Sequence, residues 1–450
     1  MKVKIKKGLD IKLDGPAEKI IKDGTSPKLI AIQPSDFPGL TPKMLLKEGA
    51  PVSCGTPVFF DKYNEVIKYS SPVSGVLKSI VRGAKRKIMA IVIESDGKMT
   101  QASTTANDLA KKSREEVIAS LLDAGLWPFL RMRPIDIVAQ PTDTPKSIFI
   151  SAFDSNPLAP DYDFIMHGKD SEFNAGIEVL KKLTDGSINL QVRSSAADVF
   201  KNAKNIELNT VSGPHPAGNV GVQIHKIDTL NKGVVVWYIN PQDVMSIGRY
   251  TLTGSYDVSR VIAVAGSNVS ERNYIKTLPG AQINSIVSSN YIEENSRIVS
   301  GNPLTGNQVD LDGYLGFYHH QISVLPEGNQ YKFFLTEGWL AAGFSRFSAS
   351  KAYPTWLMPK SKVYNIDTNL NGEERAFVVS GQYEKVFPFD IYPVHLVKSI
   401  ITNDIEKMEN LGIYEVSPED FALCEFVCTS KINVQSIVRE GLDLIYKECM

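Results

Sequence analysis

The sequence is poor in cysteine, in long apolar runs and in surplus charge, and each shortage removes a class of protein. Four cysteines in 450 residues, Cys54, Cys424, Cys428 and Cys449, are too few for a disulfide scaffold and fit a reducing compartment. Only Cys424 and Cys428 are close in sequence. Their spacing suits neither the C-x-x-C of zinc and redox sites nor a four-cysteine iron–sulfur site, so the expectation is two thiols packed as small hydrophobes. The longest apolar run, Gly233 to Ile239, falls far short of the ~18 residues of a membrane span. The opening MKVKIKKGLDIKL alternates Lys with Val, Ile and Leu, the pattern of a half-exposed strand and not of a signal peptide, which predicts a cytoplasmic protein. With 49 basic and 50 acidic side chains the formal net charge is −1, which offers no general electrostatic reason to bind nucleic acid or anionic lipid.

What is present is an ordinary globular composition, 43% hydrophobic and 22% charged, in a chain too long for one core. At roughly 100 to 200 residues per domain, three or four domains are expected. Residues 1–105 hold short β-rich runs punctuated by Pro and Gly, the pattern of a compact β domain. Within them PVFFDKYNEVIKYSSPVSGVLKSIVRGAKRKIMAIVIE resembles a biotinyl/lipoyl-like barrel-sandwich domain. Such carriers present a modified lysine, flanked by methionines, at a hairpin tip. Here Lys62 occupies the tip between Asp61 and Tyr63, and it reads as a solvated loop charge.

A polar, threonine-rich linker at 101–112 precedes a helix opened by a Ser113–Glu116 capping box, with Val117, Ile118, Leu121 and Leu122 on one face and Gly125 at its end. Residues 106–255 then alternate: strand KSIFISAF, helix Ser171 to Leu183 with Phe173, Ile177 and Leu180 inward, strand INLQVR, a short helix at 195–203, and strand IELNTV. That order predicts a Rossmann-like α/β domain with a parallel sheet. The first strand is followed by DSNPLAPDYD, with no glycine to admit a pyrophosphate, and no Walker sequence occurs. Gly213, Gly218 and Gly221 of GPHPAGNVG are wrongly spaced for a phosphate cradle. Residues 256–325, from SRVIAVAGSNV onward, read as a small β-grasp (SLBB-like) domain. Residues 326–450 read as a C-terminal mainly helical domain, with a helix start at Ser417-Pro418-Glu419 ahead of Phe421, Leu423, Phe426 and Val427.

Six histidines, His167, His215, His225, His319, His320 and His395, form no metal-binding spacing, and no G-x-S-x-G elbow supports a hydrolase. His215, between Pro214 and Pro216, is expected in a rigid loop with one hydrogen bond to its ring. Tyr331, Phe333, Phe334, Trp339, Phe344, Phe347, Tyr353 and Trp356 concentrate aromatics far above the 9% of the whole chain. Two readings stand: the core of the last domain, or an interface or quinone contact.

Taken in order, SPVSGVLKSIVRGAKR, SIFISAFDSNPLAPD, GPHPAGNVGVQIHKID, RIVSGNPLTG, YLGFYHHQISVLPEG, GWLAAGFSRFSASKAYP and FALCEFVCTSK span almost the whole chain. Together they resemble the family of A subunits of bacterial sodium-translocating NADH:quinone oxidoreductases (Na+-NQR). Parts also resemble the C subunit of the Rnf electron-transfer complex and the NADH-binding flavoprotein subunit of respiratory complex I. The resemblance implies a peripheral protein on the cytoplasmic face of the bacterial inner membrane, partnered with the other Na+-NQR subunits, especially the membrane-embedded B subunit, and near quinone. It implies no cofactor in this chain. The complex as a whole uses FAD, FMN, riboflavin and an iron–sulfur cluster, with NADH, ubiquinone and Na+ as substrates. No catalytic, cofactor-binding or metal residue is carried over from the family, and the tandem cysteine motifs of the Rnf relative are missing from FALCEFVC. The rival expectation is an independent flavin-dependent NADH dehydrogenase using the Rossmann-like domain; a swinging-arm carrier would depend on Lys62.

Overall fold

The computed structural model describes every residue of the 450 except 103–107, 337, 339 and 360, and nothing of the Ser289 side chain. The middle of the expected linker and Trp339 therefore lie outside the described residues.

The barrel-sandwich is built from residues 29–95. A four-stranded antiparallel sheet, in the order Leu29–Ile32, Ile88–Ser95, Gly75–Arg82 and Pro51–Val52, faces a three-stranded one of Pro42–Met44, Pro57–Asp61 and Asn64–Ser70. Ile30, Val58, Phe59, Leu77, Ile91 and Ile93 fill the space between, and Phe59 stacks on Tyr69 with ring centroids 4.7 Å apart. Two short strands ahead of Leu29 pair outside these two sheets. Lys2–Lys4 lies parallel to the end of Glu207–Ser212 in the α/β sheet, and Ile21–Asp23 pairs with Tyr274–Thr277 in the β-grasp sheet. Val3 alone of the first strand is buried, as its alternation predicts. The segment between the two strands runs so close to the 213–216 loop that a Cβ on Gly8 would sit 2.1 Å from the His215 carbonyl oxygen.

The α/β sheet has seven strands in the order Lys2–Lys4, Glu207–Ser212, Ile188–Val192, Ile148–Ser151, Val236–Tyr238, Arg131–Arg133 and Ile137–Val138. The first five run parallel, and an antiparallel hairpin closes the far edge. Ser113 and Glu116 form the expected capping box on helix Arg114–Asp123, and Gly125 follows in the left-handed region at φ 72°. Helices Asp170–Lys182 and Pro241–Thr253 cross at two glycines. A Cβ on Gly176 would lie 2.1 Å from the Val244 carbonyl oxygen, and one on Gly248 1.7 Å from that of Glu172. Backbone therefore packs on backbone there, while Phe173, Ile177 and Leu180 point into the core.

The β-grasp sheet has six strands in the order Asn307–Val309, Ser296–Ser300, Gln321–Pro326, Arg260–Ala265, Tyr274–Thr277 and Ile21–Asp23. The C-terminal region is helical from Tyr383 onward, chiefly Pro393–Ile401, Ile405–Asn410, Ala422–Phe426 and Val434–Cys449. Helical structure does not reach back to 326. Among the described residues from 327 to 382 only the short turn Pro354–Leu357 is helical, because Pro, Gly and Asn recur too often for a longer one.

Replacing Gly248 with Ala should lower stability by about 2–3 kcal/mol, since neither helix can retreat without repacking the core. Chemical denaturation of G248A beside the parent measures it; Gly248 lies inside a helix, so the loss reports the clash of its Cβ with the Glu172 carbonyl and not a backbone that only glycine adopts.

Candidate functional site

A doubly wound sheet binds dinucleotides where its strand order reverses, here outside the carboxyl ends of Ile148–Ser151 and Val236–Tyr238. The chain fills that crevice with its own residues. Helix Pro241–Thr253 opens there, capped by Asn240 Oδ1, which accepts from Gln242 N at 3.0 Å; Asn240 Nδ2 donates to the Tyr162 hydroxyl at 2.6 Å. In the same turn Asp243 accepts a hydrogen bond from Arg260 at 3.1 Å, and Gln242 donates to His320 Nδ1 at 2.9 Å, both reaching into the β-grasp domain. Burial pushes the Asp243 carboxyl up to about 6, against the pull of Arg260. A phosphate would meet a carboxylate where it needs free N–H groups.

The three glycines of GPHPAGNVG serve close packing of the chain against itself. A Cβ would lie 2.3 Å from the Ile5 carbonyl oxygen at Gly213, 2.5 Å from Ser155 N at Gly218, and 2.5 Å from Asp420 Oδ2 at Gly221. The last contact belongs to a buried charge cluster that sequence reading missed. Arg133, 1% exposed, donates to Glu419 Oε1 at 2.8 Å and to Asp420 Oδ2 at 3.2 Å, with Asp136 Oδ1 3.7 Å from its Nε. Asp420 also closes a capping box, accepting from Ser417 N at 2.9 Å. Burial pushes the Glu419 carboxyl up to about 7, opposed by Arg133. Burial would do the same to Asp136, but Arg133 and Arg131 outweigh it and hold that carboxyl low. Arg131 is sandwiched between the rings of Tyr238 and Tyr318, 4.4 and 4.3 Å from their centroids, and Asp136 accepts a hydrogen bond from the Tyr238 hydroxyl. The only sequence signal was RMRPID, three charges set between the apolar runs WPFL and IVA.

A second missed group is Asp36, at the junction of the barrel-sandwich and β-grasp domains. Its Oδ2 accepts from Phe317 N at 2.8 Å, and it lines a pocket of about 10 Å3, room for one water, with Ser70, Tyr256, Pro279 and Gly280. Its neighbours are the rings of Tyr318 and Tyr256 and the backbone of 31–32 and 317, and burial pushes its carboxyl up to about 7.

The residues singled out from sequence stay apart. Lys62 is exposed at the two-residue tip between Pro57–Asp61 and Asn64–Ser70, its ammonium 5.4 Å from the Tyr63 ring centre. Cys54, Cys424 and Cys428 are buried in the core, and burial raises the Cys424 thiol. His215 Nδ1 lies 3.0 Å from Ser155 Oγ, its only ring hydrogen bond among the described residues, and burial holds the ring down to about 4. His225 Nε2 accepts from Asp390 N, so its Nδ1 carries the proton toward Glu415 at 2.7 Å. His319 Nδ1 pairs with Ser300 Oγ, while His167 and His395 are exposed. Among the described residues no three His, Cys, Asp or Glu converge on a metal-sized site.

The aromatic segment corrects the core reading. Tyr331, Phe333, Phe334, Phe344 and Trp356 are exposed, Phe344 by 59% and Trp356 by 58%, and Leu335, Leu340 and Leu357 join them. Phe347 and Tyr353 are half-buried, Phe347 packing on Tyr364 and Phe426. The remaining large apolar side chains of this segment face outward, with Phe333 and Phe334 in ring contact at 5.0 Å, more of them than the core reading allows.

The Asp36 carboxyl has a testable pH signature. With a folded value of about 7 against an ordinary 3.8, the unfolded chain loses this proton first. Stability therefore falls as pH rises from about 4 and levels off above about 7. Asp36→Asn keeps an acceptor for Phe317 N, and its melting temperature should gain on the parent at pH 8 relative to pH 5 in thermal denaturation.

Three family models match in order: NqrA N-terminal barrel-sandwich hybrid domain over residues 3–96, NqrA second alpha/beta domain over 112–256, and NQRA C-terminal domain over 261–310. The A subunit of the Na(+)-translocating NADH-quinone reductase of Pasteurella multocida is 36% identical over 450 residues, covering 99% of this chain and 100% of that one. Its namesake from Neisseria meningitidis is 37% identical with the same coverage, and that of Rhodopirellula baltica is 36% identical over 99% of this chain and 98% of its own length. Among solved structures, an NAD+-reducing [NiFe]-hydrogenase chain overlays with a TM-score of 0.39 at 11% identity, covering 76% of this chain and 62% of that one, too loose to carry an argument. End-to-end similarity across all three matched domains shows that the chain belongs to the family of A subunits of the Na+-translocating NADH-quinone reductases.

Proposed function

We propose that the chain is a peripheral docking component on the cytoplasmic face of the complex, seated on its membrane subunits, the B subunit in particular, and contributing to assembly and to quinone reduction. NADH oxidation by quinone, coupled to sodium export, is then a property of the whole complex. FAD, FMN, riboflavin and the iron–sulfur cluster belong to the other subunits, and this chain carries no cofactor and no catalytic residue of its own. The observation that carries the reading is the exposure of Tyr331, Phe333, Phe334, Phe344, Trp356 and Leu357 within one stretch of the chain, aromatic-rich as the centre of a protein interface is. A docking role is also consistent with the occupied crevice of the α/β sheet, with Asp243 and Asn240 at the helix N-terminus where a nucleotide would bind. No helix among the described residues is long and apolar enough to cross a membrane.

The alternative, an independent flavin-dependent NADH dehydrogenase, makes the opposite forecast for the purified chain. Isolated, it should show no visible flavin absorbance and no NADH oxidation; stoichiometric FMN or FAD would sink the docking reading.

Phe344→Ala and Trp356→Ala should each weaken association with the co-purifying membrane subunits by on the order of 2 kcal/mol, about thirtyfold, as interface anchors do. Their melting temperatures should stay at the parental value. Pull-down from native membranes beside thermal denaturation separates this from a core role, in which both would fall together.

A further inference from the structure

The hairpin joining Gly75–Arg82 to Ile88–Ser95 turns on residues that such a turn disfavours. Lys87 N donates to the Ala84 carbonyl at 3.1 Å and Gly83 N to the Lys87 carbonyl at 2.8 Å, so Lys85 and Arg86 are the two central positions. Their φ angles are 53° and 60°, with ψ 29° at Lys85, the type I′ geometry that twists with the strands. That geometry belongs to Asn-Gly or Asp-Gly. A long side chain at positive φ is uncommon, and two in succession strain the backbone twice. The Arg82 guanidinium, donating to the Arg86 carbonyl at 3.1 Å, helps hold the turn.

What the strained turn displays is charge. Between Ser79 and Ile93 the chain has Arg82, Lys85, Arg86 and Lys87 and no acidic residue, and all four cations are exposed. Apolar side chains flank them on the same hairpin: Val81 is 46% exposed and Met89 42%. A net charge of −1 over the molecule conceals this cluster; at the base of the hairpin the Glu48 carboxylate accepts from Ile80 N at 2.7 Å, and none of the four cations is paired with it. Four clustered cations with exposed aliphatic neighbours match an anionic phospholipid surface, which takes the charges at its headgroups and the apolar tips just beneath.

We propose that the 82–87 hairpin is a membrane-touching element that rests on anionic lipid headgroups beside the complex. The proposal rests on the peripheral reading above for its setting, but its test contains none of the partner proteins, so the two can fail separately. The full-length chain is co-sedimented with extruded phosphatidylglycerol/phosphatidylcholine vesicles and with pure phosphatidylcholine vesicles at low and high salt. Binding should require phosphatidylglycerol and fall with salt. The Lys85→Asn/Arg86→Gly double variant gives the turn its preferred residues. It should melt at or above the parental temperature while binding anionic vesicles roughly tenfold or more weakly. Lys87→Gln, which leaves the central pair in place, should lower binding in the same direction and keeps the test informative if the double variant loses stability. No binding to phosphatidylglycerol vesicles, equal binding to neutral vesicles, or parental binding by both variants would each overturn the proposal.

Discussion

The Arg133 guanidinium is taken almost completely out of water and has carboxylates on two sides, Asp136 from its own domain and Glu419 and Asp420 from the C-terminal one. A charge so placed is tolerated only while its partners stay, and removing one typically leaves a penalty of about 3–5 kcal/mol. The placement of the C-terminal helices follows from this constraint. Asp420 can reach Arg133 only by lying against the Cα of Gly221, and once there it sets Ala422–Phe426 and, through Glu425 and Gln435, the start of Val434–Cys449. That last helix adds two further ties: Arg439 donates to the Ile135 carbonyl and Gln435 to the Leu304 carbonyl. One buried cation thus orients the C-terminal helices on both the α/β and the β-grasp domains.

Glycine beside the nucleotide-type sheet lets the chain pack closely on itself. In a dinucleotide site the missing side chain admits a phosphate; in GPHPAGNVG it admits other parts of the same chain, the Ile5 carbonyl, Ser155 and Asp420. The residue type is the same and the object it accommodates differs. Asp243 at the neighbouring helix start works in the same sense, placing fixed negative charge at the pole that attracts anions elsewhere.

Features set by near neighbours in sequence were legible. The Ser113–Glu116 capping box, the inward face of Phe173, Ile177 and Leu180, and the β-α-β order of 148–212 depend on contacts within a turn or on periodicity. Arg133 and Asp420 are 287 positions apart, and no local pattern joins them. The aromatic segment was ambiguous because density measures how many rings there are, while burial depends on which side another element covers. Phe347 found Tyr364 and Phe426, whereas Phe344, three residues earlier, faces solvent. The helical reading of 326–382 extended the pattern of 383–450 backward across Pro, Gly and Asn that break it.

The two strands at the start of the chain carry a consequence for biogenesis. Lys2–Lys4 needs Thr210–Ser212, and Ile21–Asp23 needs Tyr274–Lys276, so the partners leave the ribosome only after roughly 200 and 250 further residues, about 10 to 50 s at ordinary elongation speeds. The barrel-sandwich, whose strands all fall between 29 and 95, has every contact of its two sheets in hand long before then. Its leading arm must wait unpaired through that interval, and the Lys residues alternating along it keep the waiting segment soluble and poor at pairing with the wrong edge.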